Sequence, residues 1–186
     1  MENNNRCPWC LSSELYKQYH DTEWGVPVHD DQKMFEFIIL ETFQAGLSWL
    51  TILNKRAHFK KAFDGFDYQI IKNYSETKIA ELLQDKGIVR NQLKIRAAVT
   101  NAAAFIKIQE EFGSFCQYLW QFVNNQPLIN RPKTLSDVPS STTLSDQISK
   151  DLKQRGFKFM GTTVVYAHLQ ATGIVNDHLE SCSFRG

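Results

Sequence analysis

No apolar run in the 186 residues is long enough to cross a bilayer, and the amino end, MENNNR, is polar where a secretory leader would be basic and then apolar. Membrane insertion and export are therefore not expected, and a cytoplasmic protein is. Charge of one sign is also missing: 21 Lys and Arg face 20 Asp and Glu, for a formal net charge of +1. That balance says little about partners, because a nucleic-acid binder can gather its cations on one face. Cysteine is sparse, with Cys7, Cys10, Cys116 and Cys182 only. In a reducing compartment such residues point to metal binding or catalysis more than to disulfides. Alternation of period two and internal repeats are absent, which argues against core strands and solenoids. The aromatic-rich stretch from Trp9 to Trp49 supplies no Ser-His-Asp order and no Gly-rich phosphate cradle. Disorder is excluded in turn, since 42% of residues are hydrophobic and 22% charged.

What is present reads as helix. Asp30 or Asp31 is placed to cap QKMFEFIILETFQAG, which ends near Gly46, and Ser48 to cap WLTILNKRAHFKKAF. Ser75 precedes ETKIAELLQD with Gly87 beyond it; Asn91 precedes QLKIRAAVTNAAAFIKIQEEF, which stops at Gly113. Ser114 opens FCQYLWQFV, and LSDQISKDLKQRG and TTVVYAHLQATG supply further helical segments. The expectation is an all-α chain of about seven to nine helices. The polar stretch from Asn124 to Thr143 reads as a surface loop between helices rather than a domain boundary, so residues 1–186 are expected to form one domain.

Four groups of residues carry possible chemistry. The first is the pair of ends: Cys7 and His20 near one terminus, His178 and Cys182 near the other. Two thiolates and two imidazoles make the ligand set of a closed, structural zinc site, and the i, i+4 spacing of HLESC would put its two donors on one helical face. Cys10, in CPWC, is an alternative ligand; equally, the histidines are ordinary polar residues and the cysteines small core fillers. A redox dithiol is not expected, because no core strand precedes CPWC. The second is Glu41, which on a helix shares a face with Met34, Phe37 and Ile38. A carboxylate so placed needs either a structural cationic or amide partner or a pocket to face. The third is aromatic density: Trp9, Tyr16, Tyr19, Trp24 and Trp49 form either core or a platform that stacks an unstacked base. The fourth is DKGIVRNQLKIR, where the turn at Gly87 and the cations Arg90, Lys94 and Arg96 suit a phosphate as well as they suit a solvated helix face. Lys150, Lys153, Arg155 and Lys158 repeat the basic theme.

At YHDTEWGVP, ETFQAGLSWLTILNKR, LKQRGFKFMGTT and NDH the chain closely resembles the 3-methyladenine DNA glycosylase I family, in matching order from Cys7 to Cys182. The resemblance implies a two-lobed helix-hairpin-helix DNA glycosylase fold with one structural zinc joining the N- and C-terminal segments through Cys7, His20, His178 and Cys182, and excludes Cys10. It implies that Glu41 is the base-pocket carboxylate, that Tyr19 and Trp49 stack on the excised base, and that Trp9, Tyr16 and Trp24 line the pocket. Gly46 and Leu47 match the wedge that fills the gap left by a flipped nucleotide; Gly87 falls in the hairpin, and with the cations Arg90 and Lys94 read above it is expected to contact DNA. The wider superfamily's catalytic Asp and Lys have no match here. A cationic base leaves as a neutral molecule without a general acid, so a monofunctional enzyme is implied, giving free 3-methyladenine and an abasic site in double-stranded alkylated DNA. A monomer is expected. A zinc-stapled helical nucleic-acid-binding module without glycosylase activity, and a glycosylase with another base preference, are the competing readings.

Overall fold

Eight of the nine α-helices among the described residues begin at a side chain that accepts a hydrogen bond from its own first turn, so local sequence sets where each begins. The computed structural model describes residues 5–185. The helices are α1 (Glu14–Thr22), α2 (Asp31–Gln44), α3 (Trp49–Ala62), α4 (Tyr68–Ile71), α5 (Glu76–Gln84), α6 (Gln92–Phe112), α7 (Phe115–Trp120), α8 (Thr143–Gln154) and α9 (Thr162–Ala171). The caps are Ser13, Asp30, Ser48, Asp67, Ser75, Asn91, Ser114 and Thr142. Only α9 starts on a residue without a side chain, Gly161. Asp30, not Asp31, caps α2: Asp31 turns away to accept from the Phe115 and Cys116 amides, 2.9 and 2.8 Å, and so ties α2 to the start of α7. The all-α expectation holds in its coarse form. It missed α1 and α4, and it missed a two-residue parallel pairing of β1 (Leu128–Ile129) with β2 (Val175–Asn176).

The middle of the structure is α2. Met34, Phe35, Phe37, Ile38, Ile39, Leu40 and Phe43 are all fully buried, and the helix packs against α3, α6, α7 and α9. An apolar surface on nearly every side is the mark of a core helix, and each such ring or branched chain removed from water contributes roughly 2 kcal/mol. Phe35 meets Phe105 of α6 at 5.1 Å, which in turn stacks on Phe115 of α7 at 4.4 Å. A helix buried on this scale leaves Glu41, one turn from its end, no route to solvent except through whatever space its neighbours leave open.

The segment 124–143 is more than a surface loop. Leu128 N–H donates to Ile174 O at 2.8 Å and Asn130 N–H to Asn176 O at 3.0 Å, pinning it beside the C-terminal strand. A short turn at Leu135–Asp137, closed by a capping box between Thr134 and Asp137, then brings Leu135 and Val138 over the cavity described next. Among the described residues no helix is long and apolar enough to cross a membrane.

Candidate functional site

A cavity of about 310 Å³ opens beside the C-terminal half of α2. Its walls are aromatic on one side, with Trp9, Tyr16, Tyr19, Trp24 and Trp49, and Glu41 lies at its inner surface. All five aromatic residues and the carboxylate singled out in the sequence therefore meet in one place. Leu135, Val138, Ala167, Gln44, Gln170 and Asp177 complete the wall; sequence reasoning missed them because they come from four separate segments.

Glu41 is 3% exposed and has no hydrogen-bond or ion-pair partner among the described residues. The structural pairing that would have explained a buried Glu is thus absent. Burial alone pushes its carboxyl up from 4.5 to about 8. Trp49 carries a second unpartnered group, since its indole Nε1–H is buried with no acceptor. A partnerless carboxyl on the wall of a cavity suits a ligand that brings a polar edge.

The rings are closely set. Trp9 packs edge-on against Tyr16 and Trp24, both at 4.9 Å, and Tyr19 lies 5.5 Å from Trp49 at 53°. A base sandwiched between two rings needs about 7 Å, two contacts of ~3.5 Å. Tyr19 and Trp49 as they stand do not leave that gap, so the expected stacking of a base on both requires one to swing. Tyr19 is 4% exposed and held in the core; Trp49, in the first turn of α3, is half-buried and the freer ring.

Behind Trp9 and Trp24 lie the four predicted metal ligands. Cys7, His20, His178 and Cys182 are buried, and their donor atoms all fall within 4.8 Å of one another. Cys182 Sγ is 3.5 Å from His20 Nε2 and 3.4 Å from His178 Nδ1; Cys7 Sγ is 3.8 Å from His178 Nδ1. Tetrahedral coordination at ~2.3 Å for sulfur and ~2.0 Å for nitrogen separates the two by roughly 3.5 Å. The other ring nitrogens are already engaged: His20 Nδ1 faces Asp21 Oδ1 at 2.8 Å and His178 Nε2 faces Trp24 O at 2.9 Å. Both must be donors there, which leaves the lone pairs of His20 Nε2 and His178 Nδ1 for the cluster. Asp21 is itself clamped by Arg6 through contacts of 2.8–2.9 Å. Burial raises the Cys7 thiol to about 12 and holds both imidazoles neutral, so a bound cation would be what converts the sulfurs to thiolates. The chemistry and spacing fit a metal ion.

Two details differ from expectation. His178 and Cys182 meet through a turn closed by Cys182 N–H to Leu179 O, 2.8 Å, and not along a helix. Cys10 is buried but outside the cluster, its Sγ–H donating to Cys7 O at 3.1 Å. Gly25, in the quoted stretch EWGVP, has a hidden role: its φ is +76°, and a Cβ there would sit 3.0 Å from the His178 ring.

Near the mouth of the cavity, Gly46 has φ +85° and open space around it, and Leu47 is 40% exposed. The turn is closed by Leu47 N–H to Gln44 O, 2.7 Å, and by Gln44 Nε2 to Leu47 O, 3.0 Å. The hairpin between α5 and α6 places Gly87 against His58, where a Cβ would come within 2.9 Å of the ring. Arg90 is exposed with no partner among the described residues. Lys94 corrects its expectation as a contact to DNA. It is 6% exposed, and its ammonium donates to Phe43 O at 3.0 Å and Ala45 O at 2.6 Å, the last carbonyls of α2. A cation at a helix C-terminus satisfies orphan carbonyls and the negative dipole end, so Lys94 braces the Gly46–Leu47 turn from inside. Arg96 pairs with Glu76 at 2.7 Å.

Comparison with known proteins agrees with this geometry. A family model described as methyladenine glycosylase matches residues 9–186. The chain is 46% identical to DNA-3-methyladenine glycosylase 1 of Escherichia coli K12 over 177 residues, 95% of each protein, and 43% identical to DNA-3-methyladenine glycosylase of Haemophilus influenzae over 95% and 96%. The crystal structure of a 3-methyladenine DNA glycosylase I superposes with a TM-score of 0.93 at 45% identity, covering 96% of this chain and 98% of that one. The Staphylococcus aureus 3-methyladenine DNA glycosylase I, solved for its recognition of 3-methyladenine, gives 0.94 at 36% identity over 98% and 97%. The chain belongs to the methyladenine glycosylase family.

Proposed function

We propose that this protein removes 3-methyladenine from alkylated double-stranded DNA by hydrolysing the N-glycosidic bond, releasing the free base and leaving an abasic site. The observation that carries the reading is the partnerless carboxyl of Glu41 inside an aromatic-walled cavity of about 310 Å³. A flipped base enters edge first, its exocyclic amine donating to Glu41 while Trp49 swings to stack against its face and Tyr19 backs it. Base–aromatic stacking is worth about 1–3 kcal/mol. Trp9, Tyr16 and Trp24 form the remaining wall.

Glu41 gives selectivity through charge. A carboxyl raised to about 8 is mostly protonated near neutrality. A cationic methylated purine supplies the counter-charge the pocket lacks, drawing out the carboxylate form and releasing the proton to solvent. Neutral adenine offers no such compensation and enters against the full desolvation of its own polar edge. After bond cleavage the departing base is neutral, so the ion pair that favoured entry is gone and release is eased.

The Gly46–Leu47 turn is the wedge in this reading. Glycine is required by its backbone, and Leu47 is a half-exposed apolar tip able to replace the extruded nucleotide. The α5–α6 pair with Gly87 and Arg90 is the helix-hairpin-helix contact to the phosphate backbone. Residues 1–186 act as one two-lobed domain, monomeric and cytoplasmic. Cys7, His20, His178 and Cys182 hold a zinc ion with no open position, so it folds the chain rather than catalyses. No side-chain amine among the residues lining the cavity is placed to form a covalent adduct, in keeping with a monofunctional enzyme. Release of labelled 3-methyladenine from alkylated DNA, set beside 7-methylguanine and hypoxanthine, tests the activity and its base preference. Binding to DNA with no base released would instead support the non-enzymatic zinc-stapled module.

A further inference from the structure

The cavity holds a second carboxylate, Asp177, in surroundings opposite to those of Glu41. Asp177 follows β2, is 2% exposed, and lines the aromatic cavity. It also lines a second, polar cavity of about 370 Å³ beside Asn130, Arg131, Thr142 and Tyr166. It is therefore the wall between the two.

Three neutral groups hold it. Tyr166 O–H donates to Oδ2 at 2.6 Å, Gln170 Nε2 donates to Oδ2 at 2.8 Å, and Asn130 Nδ2 donates to Oδ1 at 2.7 Å. Every one of these contacts donates to its oxygens. No Lys or Arg forms an ion pair with it among the described residues, Arg131 being the cation that shares its polar cavity. A carboxylate has about four acceptor positions. Three are filled, which leaves one. Tyr166 and Gln170 stand on α9 and Asn130 on the segment beside β1, so the group is fixed in place before any substrate arrives, as electrostatic catalysis requires.

Two carboxyl groups in one cavity, one with no protein partner and one with three donors, is the arrangement that divides labour between a group that reads and a group that stabilises charge. We propose that Asp177 is a catalytic carboxylate of this site, using its remaining acceptor position to orient the attacking water and its charge to stabilise the cationic sugar. The assignment rests on the glycosylase reading and adds a residue to it. In the step, the bond from C1′ to the base nitrogen breaks and its electron pair goes to the already cationic base, which leaves neutral. Positive charge gathers on C1′ and the ring oxygen. The water oxygen bonds to C1′, and its proton passes to solvent water. The second cavity, which meets the same carboxylate from behind, is a polar path for that water.

The test uses the metal-loaded full-length protein and two variants: Asp177→Asn, and Asp177→Asn combined with Asn130→Asp. The second restores a carboxylate–amide pair with the roles exchanged, moving the charge to a residue that lines only the polar cavity. Single-turnover release of 3-methyladenine from alkylated DNA is expected to fall about 100-fold or more in both. Affinity for free 3-methyladenine and metal content should stay within threefold of the parent. Restoration of the parent rate by the exchanged pair would overturn the proposal, because the network would then be structural only. So would a rate within threefold of the parent in folded Asp177→Asn, or a rate loss matched by an equal loss of free-base affinity. A parent protein that releases no 3-methyladenine would overturn the glycosylase reading and this assignment together, whereas an active parent with unaffected variants would overturn Asp177 alone.

Discussion

Replacing Glu41 by Gln removes a titrating carboxyl from a place where the fold does not support its charged form, and the effect on stability is set by pH. In the unfolded chain the carboxyl titrates near 4.5; in the fold burial raises it to about 8. Between those values the folded state holds a proton that the unfolded state has lost. Stability contributed by this group is therefore complete below pH 4.5 and falls as pH rises, at roughly 1.4 kcal/mol per unit, until the folded carboxyl ionises near 8. Across that window the loss is on the order of 5 kcal/mol, a large share of a typical domain's total. Glu41→Gln keeps the shape and abolishes the titration. Urea unfolding of parent and variant at pH 5, 6, 7, 8 and 9 gives the difference directly, provided the urea slope is unchanged. The variant is expected to match the parent near pH 5 and to gain on it by about 1.4 kcal/mol per unit up to pH 8, while losing selective excision. A stability difference that stays flat from pH 5 to 9 would show that the carboxyl is solvated or paired, and the argument for a ligand-seeking carboxyl would fail with it.

Three other perturbations separate roles that share one neighbourhood. Cys7→Ser should strip the metal and cost more than ~4 kcal/mol, whereas Cys10→Ser should retain it within about 1 kcal/mol of parental stability; metal analysis with urea unfolding checks both. Lys94→Met leaves the Phe43 and Ala45 carbonyls bare inside the protein. A loss of roughly 2 kcal/mol is expected, with excision from DNA falling more than free-base binding because the Gly46–Leu47 turn loses its brace. His168, fully buried with neither ring nitrogen partnered, is lowered by burial from 6.5 to about 3. Its stabilising contribution is complete above pH 6.5 and is lost as pH falls toward 3, so His168→Leu should flatten the acid side of the stability curve by roughly 1.4 kcal/mol per unit.

Helix starts were legible in the sequence because a cap is a local event: Ser48, Ser75, Asn91 and Ser114 each act on the amide three residues away. Glu41 was legible for a similar reason, since helical periodicity alone places it among Met34, Phe37 and Ile38. Lys94 was not. In the first turn of α6 it looks like any solvated lysine, and only the approach of the end of α2 makes it a buried brace. Asp177 was quoted in NDH without a role, because its donors lie seven, eleven and forty-seven positions away and no spacing rule joins them. The β1–β2 pairing, two residues long, is too short to leave a periodic trace.

The Cys/His cluster and the aromatic cavity are neighbours for a physical reason. The first twenty described residues bury few large aliphatic side chains, and α1 makes its main helix contact with α3. Hydrophobic burial alone gives that segment little hold on the rest. A cross-link from Cys7 to Cys182 spans nearly the whole chain, and on the chain-entropy estimate a loop that long removes close to 5 kcal/mol of unfolded-state freedom. The same segment carries Trp9, Tyr16, Tyr19 and Trp24, most of the aromatic wall. Trp9 packs edge-on to His20 at 5.2 Å and Trp24 to His178 at 4.6 Å, so the rings of the cavity wall lean on the rings of the Cys/His cluster. A site assembled from the two ends of a chain needs something to hold those ends together, and here the four residues that could hold a metal ion also back the cavity.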